Sequence, residues 1–195
     1  MTQASPMQGG KAMANANSEG ARRKSHWRVA GWTLAGLVLL VPLVAMWLTG
    51  EVSWTAGDFI FAAVLIGLAG IIFELTSRVS ADGAYRGGVA TALTASIAIA
   101  WANGAVGMIG NEDGPYNLMF FGVIAIALLG SLLSRLRPAG MAWTMVAAGA
   151  AQAALGLGGM QVDVRGGILS TLLAGLWLVA AALFRNSANS IRAPG

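Results

Sequence analysis

The sequence predicts an all-α protein, a polytopic transmembrane helix bundle of about six spans with both termini in the cytoplasm. Three observations predict it. Of 195 residues, 56% are apolar and only 10% charged, where an ordinary soluble domain carries about a quarter charged residues. Uncharged runs such as "VAGWTLAGLVLLVPLVAMWLTG" (29–50) and "GGVATALTASIAIAWANGAVGMIG" (87–110) exceed the roughly 20 residues that cross about 30 Å of hydrocarbon as a helix. The basic residues also segregate. Lys11, Arg22, Arg23, Lys24, Arg28, Arg78, Arg86, Arg135, Arg137, Arg185 and Arg192 fall on one side of the predicted spans, and only Arg165 on the other. An excess of Lys and Arg marks the cytoplasmic side.

Residues 1–25, "MTQASPMQGGKAMANANSEGARRKS", are small and polar without apolar periodicity, and predict a disordered cytoplasmic tail. The bundle then occupies 26–185, with spans at about 29–49, 59–77, 87–110, 118–134, 140–158 and 167–184, and a short cytoplasmic tail follows at 186–195. The first span follows a basic cluster, but its apolar run is longer than a signal-peptide core and no A-x-A-like site follows it. It reads as an uncleaved signal anchor, with a kink expected at Pro42, which removes a hydrogen bond to the Val38 carbonyl. Asp58 is placed to cap the second helix, and Gly110 to end the third. Asn117 is placed to cap the fourth helix, and "RLRPAG" (135–140) is short enough to turn it straight into an antiparallel fifth. Trp27, Trp32, Trp47, Trp54 and Trp143 fall near predicted interfaces, where indoles prefer to sit; Trp101 and Trp177 fall deeper, where they pack between helices.

In lipid, helices associate through close backbone approach and interhelical hydrogen bonds rather than through the hydrophobic effect. The third span carries the longest ridge of small residues at spacing four, Gly88, Ala92, Ser96, Ala100 and Gly104, and is expected to sit centrally. The fifth carries Gly140, Thr144, Ala148, Gln152 and Gly156, so the Gln152 amide needs a partner inside the bundle.

The residue inventory excludes much chemistry. With no cysteine and a single histidine, His26, outside the spans, there is no disulfide, thiolate nucleophile, Cys-containing zinc site or bis-histidine haem. A serine–histidine protease, an HExxH zinc site and a P-loop have no candidate residues. No cofactor or metal is expected, nor a nucleic-acid partner, because the basic balance follows from topology.

The candidate polar or ligand positions are Glu74, Asn103, Glu112, Asp113 and Gln152. Glu74 lies one turn inside the second span with Arg78 at i+4, where an ion pair explains it without a ligand. Asn103 lies in the outer half of the third helix and is expected to hydrogen-bond a neighbouring helix, with a ligand contact as the alternative. In "GNEDGPYN" (110–117) nearly every residue has a turn or cap role except Glu112 and Tyr116, and adjacent acids do not make a calcium loop. A shared outer cluster of Glu112 and Asp113 with Glu51, Asp58 and Asp163 is the metal-binding alternative.

The stretch "WANGAVGMIGNEDGPYNLMFFGVIAIALLGSLLSRLRPAGMA" (101–142) resembles a family of small, uncharacterised multi-pass bacterial membrane proteins. The resemblance rests on a "WxN" helix, a "GxED" loop, "NLM" opening the next helix and an "RxRPxGMA" turn. These are Trp101, Asn103, Gly110, Glu112, Asp113, Asn117, Leu118, Met119, Arg135, Arg137, Pro138, Gly140, Met141 and Ala142. It implies a bacterial inner-membrane location and supplies no activity. The expected function is therefore a non-enzymatic integral inner-membrane protein acting through protein or lipid contacts, such as an accessory or assembly subunit or a homo-oligomer. The alternative is a small-solute or ion transporter or channel using the intramembrane polar residues.

Overall fold

The computed structural model describes Val29 and residues 31–49, 53–111 and 113–192. Among them every regular element is helical: α1 (Gly31–Thr49), α2 (Ala56–Thr76), α3 (Gly83–Ala105), a 3₁₀ turn (Pro115–Asn117) leading into α4 (Leu118–Leu133), α5 (Pro138–Gly159) and α6 (Val164–Arg192). All six helices are long and apolar enough to cross a membrane. The chain divides into two compact units, one up to Gly70 and one from Ile71 onward, so that α2 runs across the division.

In the first unit, α1 continues as helix through Pro42, and the Trp32 ring lies against Gly70 of α2, 3.0 Å from where a side chain there would begin. The start of α2 differs from the sequence expectation. Thr55 is the cap, its Oγ1 accepting the Asp58 N–H, while the Asp58 carboxylate reaches back to the Thr55 N–H at 2.7 Å. This reciprocal arrangement satisfies two of the N–H groups that a helix start leaves open.

The second unit is built on α6. It packs most extensively against α5, then against α3, and α5 in turn packs on α4. The interior is made of small residues and a few rings: Ala95, Ala148 and Ala180 are buried beside Tyr85, Phe120, Trp177 and Phe184. The large aliphatic residues point outward, as on α4, where Leu118, Leu129, Leu132 and Leu133 are exposed. That inside-out distribution suits helices whose surroundings are as apolar as their core, since only close packing then holds them together. Glycines provide the close approach: a side chain at Gly156 would start 2.5 Å from Thr171 Oγ1 and 2.8 Å from the Thr171 backbone nitrogen.

Two boundaries and one packing face differ from expectation. The third helix stops at Ala105 rather than near Gly110, with Val106 as its C-cap and Gly107 following at φ +78°. A side chain at Gly107 would collide with the Asn111 carbonyl as well as being strained, so Gly107 is the stop that this chain uses. Of the expected ridge on α3, Gly88 and Ala100 are buried, Ala92 and Ser96 half-buried and Gly104 exposed; Ala95, Ile99 and Asn103 complete the buried stripe. Finally, α6 continues past 184 to Arg192, so most of the expected tail is helix, held where Ser187 and Ala188 are buried.

Candidate functional site

The polar side chains of the second unit collect at three levels. Midway between its ends, Gln152 of α5 and Trp177 and Ser170 of α6 are completely buried. Trp177 Nε1 donates to Gln152 Oε1 at 2.6 Å, and Gln152 Nε2 donates to the Ser170 carbonyl at 3.2 Å. An indole N–H can only donate, so Trp177 fixes which way the amide faces. The partner that Gln152 requires is therefore supplied by α6, and the Trp177 ring sits between helices, its Cβ 3.2 Å from the side-chain position of Gly149.

Asn103 is also buried, but its bond differs from the expected one: Nδ2 donates to the Ile99 carbonyl of its own helix at 2.9 Å, and Oδ1 has no partner. Ser170 Oγ is likewise buried without a partner. Contacts of Gly88 with Phe184 and of Gly166 with Met108 set the antiparallel register of α3 against α6, which puts Asn103 and Ser170 at one level. Asn103, Gln152, Ser170 and Trp177 carry no group that ionises near neutral pH. These side chains can orient dipoles, but they supply neither acid nor base.

At the end of the unit carrying the α3–α4 connection, Asn117 is not the side-chain cap of α4. Buried, it turns back instead: Oδ1 accepts from Met108 N–H (3.0 Å) and Ile109 N–H (2.9 Å), and Nδ2 donates to the carbonyls of Ile109 (3.2 Å) and Asn111 (2.6 Å). Tyr116 donates to the Leu155 carbonyl of α5 at 2.8 Å. Asp163 joins the connection to α6, accepting from Gly110 N–H with Oδ2 and from Gly166 N–H with Oδ1. These bonds, Gly166 first and Gly110 next, hold its pKa below the ordinary 3.8, with Arg165 adding a smaller pull.

Asp113 is exposed in this loop, and Glu112 lies outside the described residues, as does Glu51. Among the described residues no three of His, Cys, Asp and Glu come together as a metal site would need. Asp163 spends both oxygens on backbone N–H groups, and Asp58 is engaged with Thr55.

At the opposite end, Glu74 pairs with Arg78 at 2.9 Å. Asp82 caps α3 through the Ala84 N–H. The Ser187 hydroxyl of α6 is the main influence lowering its pKa, working against desolvation, with the Ala84 and Tyr85 N–H groups assisting. Asp82 Oδ2 and Ser187 Oγ fall short of full hydrogen-bond geometry, so the hydroxyl acts as an oriented dipole. Buried Tyr85 donates to the Leu136 carbonyl at 3.1 Å, touches Met141 Sδ at 3.4 Å and meets the Phe184 ring edge-on.

Sequence reasoning singled out Gln152 and Asn103 but not Ser170, Tyr85, Ser187 or the backward reach of Asn117. Asp82 and Asp163, each directly before a helix, had a readable cap signal. The chain matches no protein-family model, no curated protein and no solved structure.

Proposed function

We propose that this chain is a non-enzymatic integral protein of a bacterial inner membrane that acts through contacts with a membrane protein partner, a second copy or lipid. The observation that carries the reading is the second unit's construction. Its outward surface is large aliphatic side chains, and its deepest amide, Gln152, is spent on Trp177 and Ser170. Charges keep to the helix ends, and with both termini cytoplasmic the arginine-rich end faces inward. The bacterial location rests on the resemblance of residues 101–142.

Native co-purification in mild detergent, read by protein and lipid mass spectrometry, tests the reading. A stoichiometric partner or a stable homo-oligomer is the expected result; a lone monomer from native membranes sinks the accessory role. The topology has its own measurement, because the chain has no cysteine. Cysteines placed at Ser53 and Asn111 should react with an impermeant reagent from outside, and one at Ser80 should not.

The unpartnered Asn103 Oδ1 and Ser170 Oγ favour a second reading, a small-solute transporter that uses this level of the bundle. Proteoliposome flux that Asn103→Ala and Gln152→Ala both abolish would establish it, and absent or unchanged flux removes it.

A further inference from the structure

The end of the second unit that carries the α4–α5 turn gathers positive charge that its neighbours do not neutralise. Arg78 is paired with Glu74, and Arg86 is spent on the carbonyls of Ser80 and Ser77, both at 3.1 Å. Asp82, the other carboxylate here, is committed to the cap of α3. Arg135, Arg137 and Arg185 remain; they are exposed and form no ion pair among the described residues.

One buried side chain holds these three positions in place. The Tyr85 hydroxyl bonds the carbonyl of Leu136, the residue between Arg135 and Arg137, and the Tyr85 ring packs edge-on against Phe184, the neighbour of Arg185, with centroids 5.4 Å apart. The turn itself is stiff. Arg135 and Leu136 both take left-handed backbone angles, φ 52° and 58°, and Pro138 follows at the start of α5. Three guanidinium groups without an ion pair among the described residues thus leave two elements, the α4–α5 turn and α6, that are anchored at one tyrosine of α3.

We infer that this arginine rim binds the phosphodiester of an anionic phospholipid headgroup. A guanidinium fork matches two phosphate oxygens, and a group held at a helix end meets the headgroup layer rather than bulk solution. The uncancelled charge favours a lipid of net negative charge over a zwitterionic one. The inference rests on the membrane-embedded part of the reading above, and it goes further by naming the lipid class and the residues.

The test offers the purified full chain equal amounts of phosphatidylglycerol and phosphatidylcholine in detergent and reads retained lipid by native mass spectrometry. Since each arginine near an anionic surface favours binding roughly fivefold, phosphatidylglycerol should be retained at least about tenfold over phosphatidylcholine. The R135Q/R137Q/R185Q variant should lose that preference, whereas Arg165→Gln at the other end should keep it. If the triple variant does not fold, Arg135→Lys and Arg137→Lys, which keep the charge but lose the fork, should each weaken retention severalfold. Equal retention of the two lipids, an equal loss in Arg165→Gln, or displacement of the lipid by millimolar inorganic phosphate would overturn the assignment. Failure of the chain to enter vesicles of either lipid would instead overturn the membrane reading itself.

Discussion

Two connections in the second unit solve the same problem by opposite means. Between α3 and α4, the described backbone bonds within the loop are few, Gly114 N–H to Asn111 and Asn117 N–H to Gly114, and one side chain does most of the holding: Asn117 makes four bonds to the backbone of residues 108–111. Between α4 and α5, the backbone closes on itself, Ser134 N–H to Gly130, Arg135 to Leu132 and Leu136 to Ser131, at the cost of two non-glycine residues in the left-handed region. The first connection depends on one irreplaceable amide. The second depends on backbone bonds alone, and carries its own conformational cost. The two should therefore respond very differently to substitution.

The largest effect is expected at Asn117. Asn117→Leu keeps the branched shape but leaves the buried N–H groups of Met108 and Ile109 without an acceptor, and burying such a group unpaired costs about 1–3 kcal/mol each. A loss of roughly 3–5 kcal/mol of stability follows, measurable as a fall in the thermal midpoint in detergent. A loss below about 1 kcal/mol would mean that the loop does not hang on this residue.

Next comes the packing that both connections serve. Gly156→Ala drives a methyl group into Thr171, including its backbone nitrogen, which cannot rotate away; overpacking of this kind costs about 1–3 kcal/mol. Gly175→Ala meets open space and should change little. Equal effects at the two positions would remove the close α5–α6 approach as a source of stability.

How much of this was legible in the sequence follows from what each feature depends on. The helices were readable because being long and apolar enough to cross a membrane is a property of a contiguous stretch of sequence. Gln152 stood out because an amide among small residues must find a partner, although nothing local named Trp177, 25 residues away. Asn117 shows the limit. Before an apolar run its short amide reads as a cap, but the same atoms serve any backbone within reach, and reach is set by where α3 stops. That stop, in turn, reads as Gly110 because both glycines look alike in sequence; only the geometry distinguishes Gly107, where a side chain would meet Asn111 and Asn117. Glu112 stays outside the described residues, so the loop's candidate role turns on Asp163 and Asn117 instead.

A milder perturbation separates the loop from the turn by pH. The Asp163 carboxylate is held below its ordinary 3.8 by the Gly166 and Gly110 N–H groups. A lowered folded-state pKa gives stability that is complete above the unfolded value and disappears as pH falls through the folded one. The thermal midpoint should therefore stay level from pH 7 to about 5 and decline below about 4. Asp163→Asn should flatten part of that decline; the part due to Asp82, lowered chiefly by Ser187, should persist. A decline of unchanged depth in the variant would show that Asp163 does not contribute to it.

The smallest expected effect has the opposite sign and is confined to the turn. Arg135 lies at φ 52°, where a side chain costs about 1 kcal/mol and glycine almost nothing. Arg135→Gly removes that strain but enlarges the unfolded ensemble, which takes back some tenths of a kcal/mol. A net stabilisation of roughly 0.5 kcal/mol remains, visible as a small rise in the thermal midpoint of the chain in detergent. The same substitution deletes one guanidinium of the rim, so it should raise stability while lowering retention of phosphatidylglycerol. Destabilisation together with loss of lipid would mean that Arg135 holds the turn through its side chain, and that lipid loss follows from a misplaced turn rather than a missing charge.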